Sequence, residues 1–163
     1  MAEKNLHFVE LEEKTDPTGF TSDTHLVVKR GVVVGKDVPT ADGPLGDNPN
    51  HVDGETWCHD LFKGGTWKQT FKDNSFRKQY AGQGCVYDPV KDIFKHAQPH
   101  ASWALDANDD WKAPVTYPTV TEYAEGLYLI GWDEAGQKWF SSDEEDPQND
   151  FTWDASGLAW VAV

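Results

Sequence analysis

The chain has 163 residues, with 28 Asp and Glu against 14 Lys and Arg and a formal net charge of −14 at pH 7. That excess of acid argues against a nucleic-acid partner, whose phosphates call for a basic surface. Aromatic residues make up 13% and include 8 Trp, whereas there is 1 Met, so large flat rings carry the apolar content and a globular fold is expected.

The longest apolar runs, within 26–34 and 127–130, fall far short of the roughly 20 residues of a membrane helix. The opening Met1-Ala2-Glu3-Lys4-Asn5 has no basic stretch followed by an apolar one, so a protein made and kept in a cytosol is expected. Cys58 and Cys85 are then expected to stay reduced and to pack as small hydrophobes.

In chain order, His7-Phe8-Val9-Glu10-Leu11, Leu26-Val27-Val28 and Val32-Val33-Val34 are apolar and β-branched, broken at Asp16-Pro17-Thr18-Gly19 and Lys29-Arg30-Gly31. They predict strands joined by turns. From Asp37 to Asn50, three prolines, two glycines and several Asp and Asn predict a surface loop with little to bury. Asp53 is then an N-cap candidate, with apolar residues at 57, 58, 61 and 62 and Gly64-Gly65 just beyond; one short helix over about 54–62 is expected.

Residues 63–95 hold seven Lys and Arg against three Asp, whereas 96–163 carry only Lys112 and Lys138 against 13 acids. A positive segment therefore sits beside an acidic one, which bears on which face meets a partner. In the second half an aromatic-Asp pair recurs: Tyr87-Asp88 precedes Phe94, Trp132-Asp133 precedes Trp139, and Trp153-Asp154 precedes Trp160, each ring pair seven residues apart. Leu105-Asp106 before Trp111 is one residue shorter. If Asp closes one strand and a four-residue loop follows, the paired rings face each other across a hairpin, with the Asp carboxylate accepting N–H groups two residues on.

Nothing in the sequence marks an enzyme. His51, Cys58, His59 and Cys85 lack the spacing of a zinc site, no phosphate-binding loop or serine elbow occurs, and Asp143-Glu144-Glu145-Asp146 lacks the alternating ligands of a calcium loop and predicts a solvated turn. No cofactor, metal or catalytic residue is assigned. The aromatics leave one alternative open: exposed, coplanar rings among Trp132, Trp139, Trp153 and Trp160 would form a platform for a surface glycan, as against serving as the hydrophobic payload of the hairpins.

Phe62-Lys63-Gly64-Gly65-Thr66-Trp67-Lys68-Gln69-Thr70, Phe76-Arg77-Lys78-Gln79-Tyr80-Ala81-Gly82-Gln83-Gly84 and Ser102-Trp103-Ala104-Leu105-Asp106 carry a resemblance. Over about 53–140 the chain resembles small proteins of tailed phages of marine cyanobacteria, and most of all a knob-like capsid decoration protein. The resemblance implies a non-enzymatic structural virion protein, made in the host cytoplasm and bound to the capsid exterior through the major capsid protein. With the charge split, it suggests that Trp67, Lys68, Lys72, Arg77 and Lys78 face the shell. The expected fold is mainly β: a compact β-rich core over 1–118, then an extension of small aromatic hairpins over 119–163. A glycan-binding module on a head or tail appendage is the alternative function.

Overall fold

A computed structural model describes residues 5–16, 18–20, 22–40, 42–47, 52–145 and 147–163, with backbone alone at 52 and 53. The chain is mainly β, with a single short α-helix among the described residues. It divides into two compact units, Met1–Ala97 and Gln98–Val163. The boundary therefore falls before the expected 118/119, because Trp103, Ala113 and Val115 pack into the aromatic core of the second unit. It also coincides with the charge split, which leaves the second unit with 13 acids and two lysines.

In the first unit, β1 (Asn5–Thr15) and β2 (Thr24–Gly35) form a long antiparallel pair with a bulge where Glu10 and Leu11 meet Arg30 and Val28. Alternation along β1 feeds two cores: Leu6 and Phe8 belong to one, Val9 and Leu11 to the other. The stretch after β2 contains the short pair β3 (Pro39–Thr40) and β4 (Gly43–Pro44), followed by a 3-10 turn at Leu45–Asp47. It is more than the surface loop its composition predicts, since Leu45 is 1% exposed and packs in the Phe8 core.

The helix α1 spans Val52–Leu61, so Asp53 lies in its first turn rather than before it. A Cβ at Gly54 would sit 2.5 Å from the Phe8 ring, and the missing side chain is what lets the helix settle on β1. The helix ends as expected: the Gly64 N–H donates to the His59 carbonyl at 2.8 Å, and Lys63, Gly64 and Gly65 all have positive φ. β5 (Thr66–Thr70) returns along β1, while β6 (Val86–Asp88) and β7 (Ile93–Lys95) extend the other side, giving the order β5-β1-β2-β6-β7.

The second unit opens with the hairpins β8 (Ala104–Leu105) with β9 (Trp111–Lys112) and β10 (Glu122–Tyr123) with β11 (Gly126–Leu127). A four-stranded meander follows: β12 (Leu129–Asp133), β13 (Lys138–Ser142), β14 (Asp150–Asp154) and β15 (Ala159–Ala162). Trp132 pairs with Trp139 and Trp153 with Trp160, and the β13–β14 register sets the two pairs side by side on one face. Across this row runs the irregular segment 113–121, which two indoles hold: Trp139 Nε1–H donates to the Val115 carbonyl at 3.0 Å and Trp160 Nε1–H to the Val120 carbonyl at 2.7 Å. Ala113 and Val115 of this segment pack into the aromatic core of the meander.

Candidate interaction surface

The basic residues expected to face a partner are mostly spent inside the first unit. Arg77 has a side chain 8% exposed and donates from Nη1 to Glu55 Oε1 at 2.5 Å and to the Gln69 carbonyl at 2.9 Å, and from Nε to Asp92 Oδ1 at 2.8 Å. Lys68 lies 3.7 Å from Glu55 and 5.5 Å from the Tyr87 ring centroid. Trp67 is 3% exposed, stacks on Phe62 at 4.8 Å and donates to the Gly64 carbonyl, so it is a core residue and not a surface anchor. Lys78 is half-buried with a positive φ, and Lys72 alone of the five is exposed. Clustering in sequence does not make a surface patch here, because Lys68 and Arg77 point at acids of neighbouring elements and Trp67 at the core.

Arg77 also joins the two outer strands of the first sheet. Its carbonyl accepts the Phe94 N–H of β7 at 2.9 Å while its guanidinium holds the Gln69 carbonyl of β5. Glu55 Oε1 takes the Gln69 N–H at 2.8 Å. A second arginine, Arg30, donates to Glu10 at 2.5 Å and lies over the Phe62 and Trp67 rings.

The aromatic hairpins form as their spacing predicts. Tyr87 faces Phe94, Leu105 faces Trp111, Trp132 faces Trp139 and Trp153 faces Trp160. The loops of three copies, 89–92, 134–137 and 155–158, end on a left-handed residue, Asp92, Gln137 or Leu158; the shorter copy does the same at Asp109. The carboxylates of Asp88, Asp106 and Asp154 accept the N–H two residues on, from Val90, Asn108 and Ser156. The hydroxyl of Ser156, with the Gly157 and Ser156 N–H groups, holds the Asp154 carboxyl below its usual range. At Asp88 burial pushes upward, but the N–H groups of Lys91 and Val90, with Lys95, outweigh it and lower the carboxyl.

The glycan platform considered for Trp132, Trp139, Trp153 and Trp160 is not what these rings build. The pairs meet edge to face, with centroids 5.0 and 5.1 Å apart at 68° and 64°, and the first three residues are buried. The expected solvated acidic turn also differs. Asp143 is buried and accepts N–H groups from Glu145 and Asn149 and the Asn149 side-chain amide, an arrangement that orders the β13–β14 loop and depresses its carboxyl, with the Asn149 N–H the largest cause. Asp146 and His51 lie outside the described residues. Cys58 and Cys85 are free and buried in different cores, and burial, with Glu55, pushes the Cys58 thiol up to about 12. His59 Nδ1 is engaged with the Gly65 carbonyl at 2.7 Å. Among the described residues no cluster of three His, Cys, Asp or Glu is placed to hold a metal ion, and no helix is long and apolar enough to cross a membrane.

What the sequence reading missed lies on the other face of the meander. Since Trp139 points inward, Phe140 must point out, and the register sets it in a row with Gly131, Thr152 and Val161. Leu129 and Val161 are each 53% exposed and Phe140 46%. The Phe140 ring lies across Gly131, where a Cβ would stand 2.5 Å from it, so the missing side chain at 131 is what makes room for the ring. A shallow groove of about 620 Å³ runs past Phe140 and Thr152, with Asp133, Asp150 and Lys138 on its borders. Polarity does not alternate along Lys138-Trp139-Phe140-Ser141, so this face follows only once Trp139 is known to point inward and the strand period of two is applied from it.

Comparison of the chain with protein-family models, with characterised proteins and with solved structures finds no match to any of them.

Proposed function

We propose that the protein is a non-enzymatic structural virion protein, a knob-like decoration on the outer surface of an icosahedral phage capsid, with the major capsid protein as its partner. The observation that carries this reading is the outer face of the meander, where Leu129, Phe140 and Val161 stand exposed on a rigid sheet. A half-exposed aromatic ring among aliphatic neighbours has the character of an interface centre. The resemblance over 53–140 supplies the class of partner.

The attachment surface differs from the one the charge split suggested. Lys68 and Arg77 are paired with acids of their own unit, while the exposed apolar face belongs to the unit with 13 acids. The shell surface it meets therefore carries basic residues around an apolar contact, and attraction between them speeds encounter. Recombinant protein mixed with heads stripped of decoration tests this by co-sedimentation. Wild type binds at a copy number comparable to a shell component, F140D binds at least tenfold more weakly, and added salt slows association. Absence of binding, or F140D binding like wild type, overturns the reading.

A further inference from the structure

The last strand of the acidic unit has a bare border, a feature that does not rest on the capsid reading. β15 pairs with β14 alone. The Val163 N–H donates to the Asp150 carbonyl at 3.0 Å, directly across the ladder. Main-chain groups of successive strand residues point to opposite sides, so Ala159, Val161 and Val163 face β14, and the N–H and C=O groups of Trp160 and Ala162 point away from it. Among the described residues nothing bonds those four groups. Ala159, Val161, Ala162 and Val163 are all exposed, so the border is open to solvent.

Borders of this kind are normally blunted by lysine, proline or a bulge. Residues 158–163 read Leu-Ala-Trp-Val-Ala-Val, with neither lysine nor proline, and the β14–β15 register runs without a break. The first unit treats its border differently, since Glu55 and Arg77 occupy both main-chain groups of Gln69 on β5. A strand with free main-chain groups and apolar side chains is a template for one more strand.

The neighbours of β15 select what that strand carries. Ala159, Val161 and Val163 lie on the same face as Asp154, Thr152 and Asp150, so an aspartate stands beside each end of β15 with Val161 between them. A residue placed opposite Val161 meets an apolar neighbour. Residues placed opposite Ala159 and Val163 lie about 10 Å from the aspartate backbones, two strand spacings, a gap that a Lys or Arg side chain spans. Acidic residues there are repelled, in a unit with 13 acids against two lysines. We infer that the free edge of β15 takes up an extended segment of a partner protein, in which a β-branched apolar residue is flanked, two positions away on each side, by Lys or Arg. A second copy of this chain fits less well, because β15 has no cation to offer and the two acidic units repel.

The test is a titration of the full-length chain with the end-capped peptide Arg-Thr-Val-Thr-Arg and with its counterpart Glu-Thr-Val-Thr-Glu, followed through the backbone amide signals. The basic peptide is expected to shift the Trp160 and Ala162 amides saturably at millimolar concentration and to slow their hydrogen exchange. The acidic peptide is expected to act at least tenfold more weakly. A162P removes an outward donor and no bond to β14, so it weakens the response about tenfold while the Trp153–Trp160 indole coupling persists. D150K leaves the border intact and narrows the gap between the two peptides at least threefold, which decides the matter should A162P disturb the meander. No response to the basic peptide, an equal response to both, or a response that neither variant alters overturns the inference. So do concentration-dependent shifts of the Trp160 and Ala162 amides in the protein alone that A162P abolishes, since they give the edge to a second copy.

Discussion

The two units solve the problem of stability in different ways. The first joins residues distant in sequence: β5 lies against β1, the helix rests on Phe8, and Arg77 gathers Glu55, Gln69 and Asp92 around its side chain and holds Phe94 through its carbonyl. The second repeats a local device, an aspartate that organises its own loop and a pair of rings that locks the strands beside it. Charge therefore means different things in the two. In the first unit many charges are internal struts, whereas in the second most lie outside the ring contacts and set the field that a partner meets.

The sharpest way to break the comparison is Arg77→Ala. It strips the Glu55 carboxylate of its closest cation and leaves it only Lys68 at 3.7 Å and the Gln69 N–H, a loss towards the lower end of the about 3–5 kcal/mol seen when a buried pair is broken, and it also puts alanine at a φ of 53°. The first unit should melt at a markedly lower temperature while the exciton-coupled circular dichroism of the paired indoles in the second persists. If both signals collapse together, the units do not fold separately. Trp153→Ala is the mirror experiment, with an expected cost of about 3–5 kcal/mol from the emptied ring site, seen as loss of the coupled indole band while the first unit keeps its hydrogen-exchange protection.

Gly54→Ala comes next, at about 1–3 kcal/mol, because the added methyl presses on the buried Phe8 ring. Its readout is local. Cys58 lies in the same core and its thiol is held near 12, so it should resist alkylation in the wild type at mildly alkaline pH and react faster in the variant. Equal rates would show that the helix does not depend on that close approach.

The smallest expected effect concerns pH. Glu134, Asp143 and Asp154 in the second unit, and Asp73 and Asp88 in the first, have carboxyls held below their ordinary values. A depressed folded value means that the stabilisation is complete above the unfolded value, about pH 4, and is lost as the pH falls through the folded one. Acid titration should therefore loosen the second unit somewhat more than the first. Asp154→Asn keeps a side-chain oxygen for the turn and removes the titration, so it should flatten the acid limb of the second unit with little change at neutral pH.

The hairpins were legible because everything that makes them is local: ring, aspartate, loop and ring lie within eight residues, and all four pairs form in the register that the spacing implies. The helix was legible within two residues at its start for the same reason. What escaped depends on contacts between distant segments. No pattern in 98–118 reveals that the Val115 carbonyl meets the Trp139 indole, and nothing around Leu45 shows that it fills a gap beside Phe8. The run of Lys and Arg in 63–95 misled because Glu55, which neutralises Lys68 and Arg77, precedes the run. The outer face was hidden because polarity does not alternate along β13, where Phe140 is exposed and Ser141 buried.

One consequence of Arg77 reaches beyond the stability of a single copy. A sheet whose border strands show bare N–H and C=O groups invites another chain to add itself as the next strand. Here the Gln69 amide and carbonyl are occupied by Glu55 and Arg77, and the Phe94 amide by the Arg77 backbone. Arg77, through side chain and backbone, and Glu55 thus close both borders at these positions, and at high local concentration the unit has less tendency to polymerise through them. Many copies held close together could then remain separate objects, meeting their neighbours through faces and not through fused sheets.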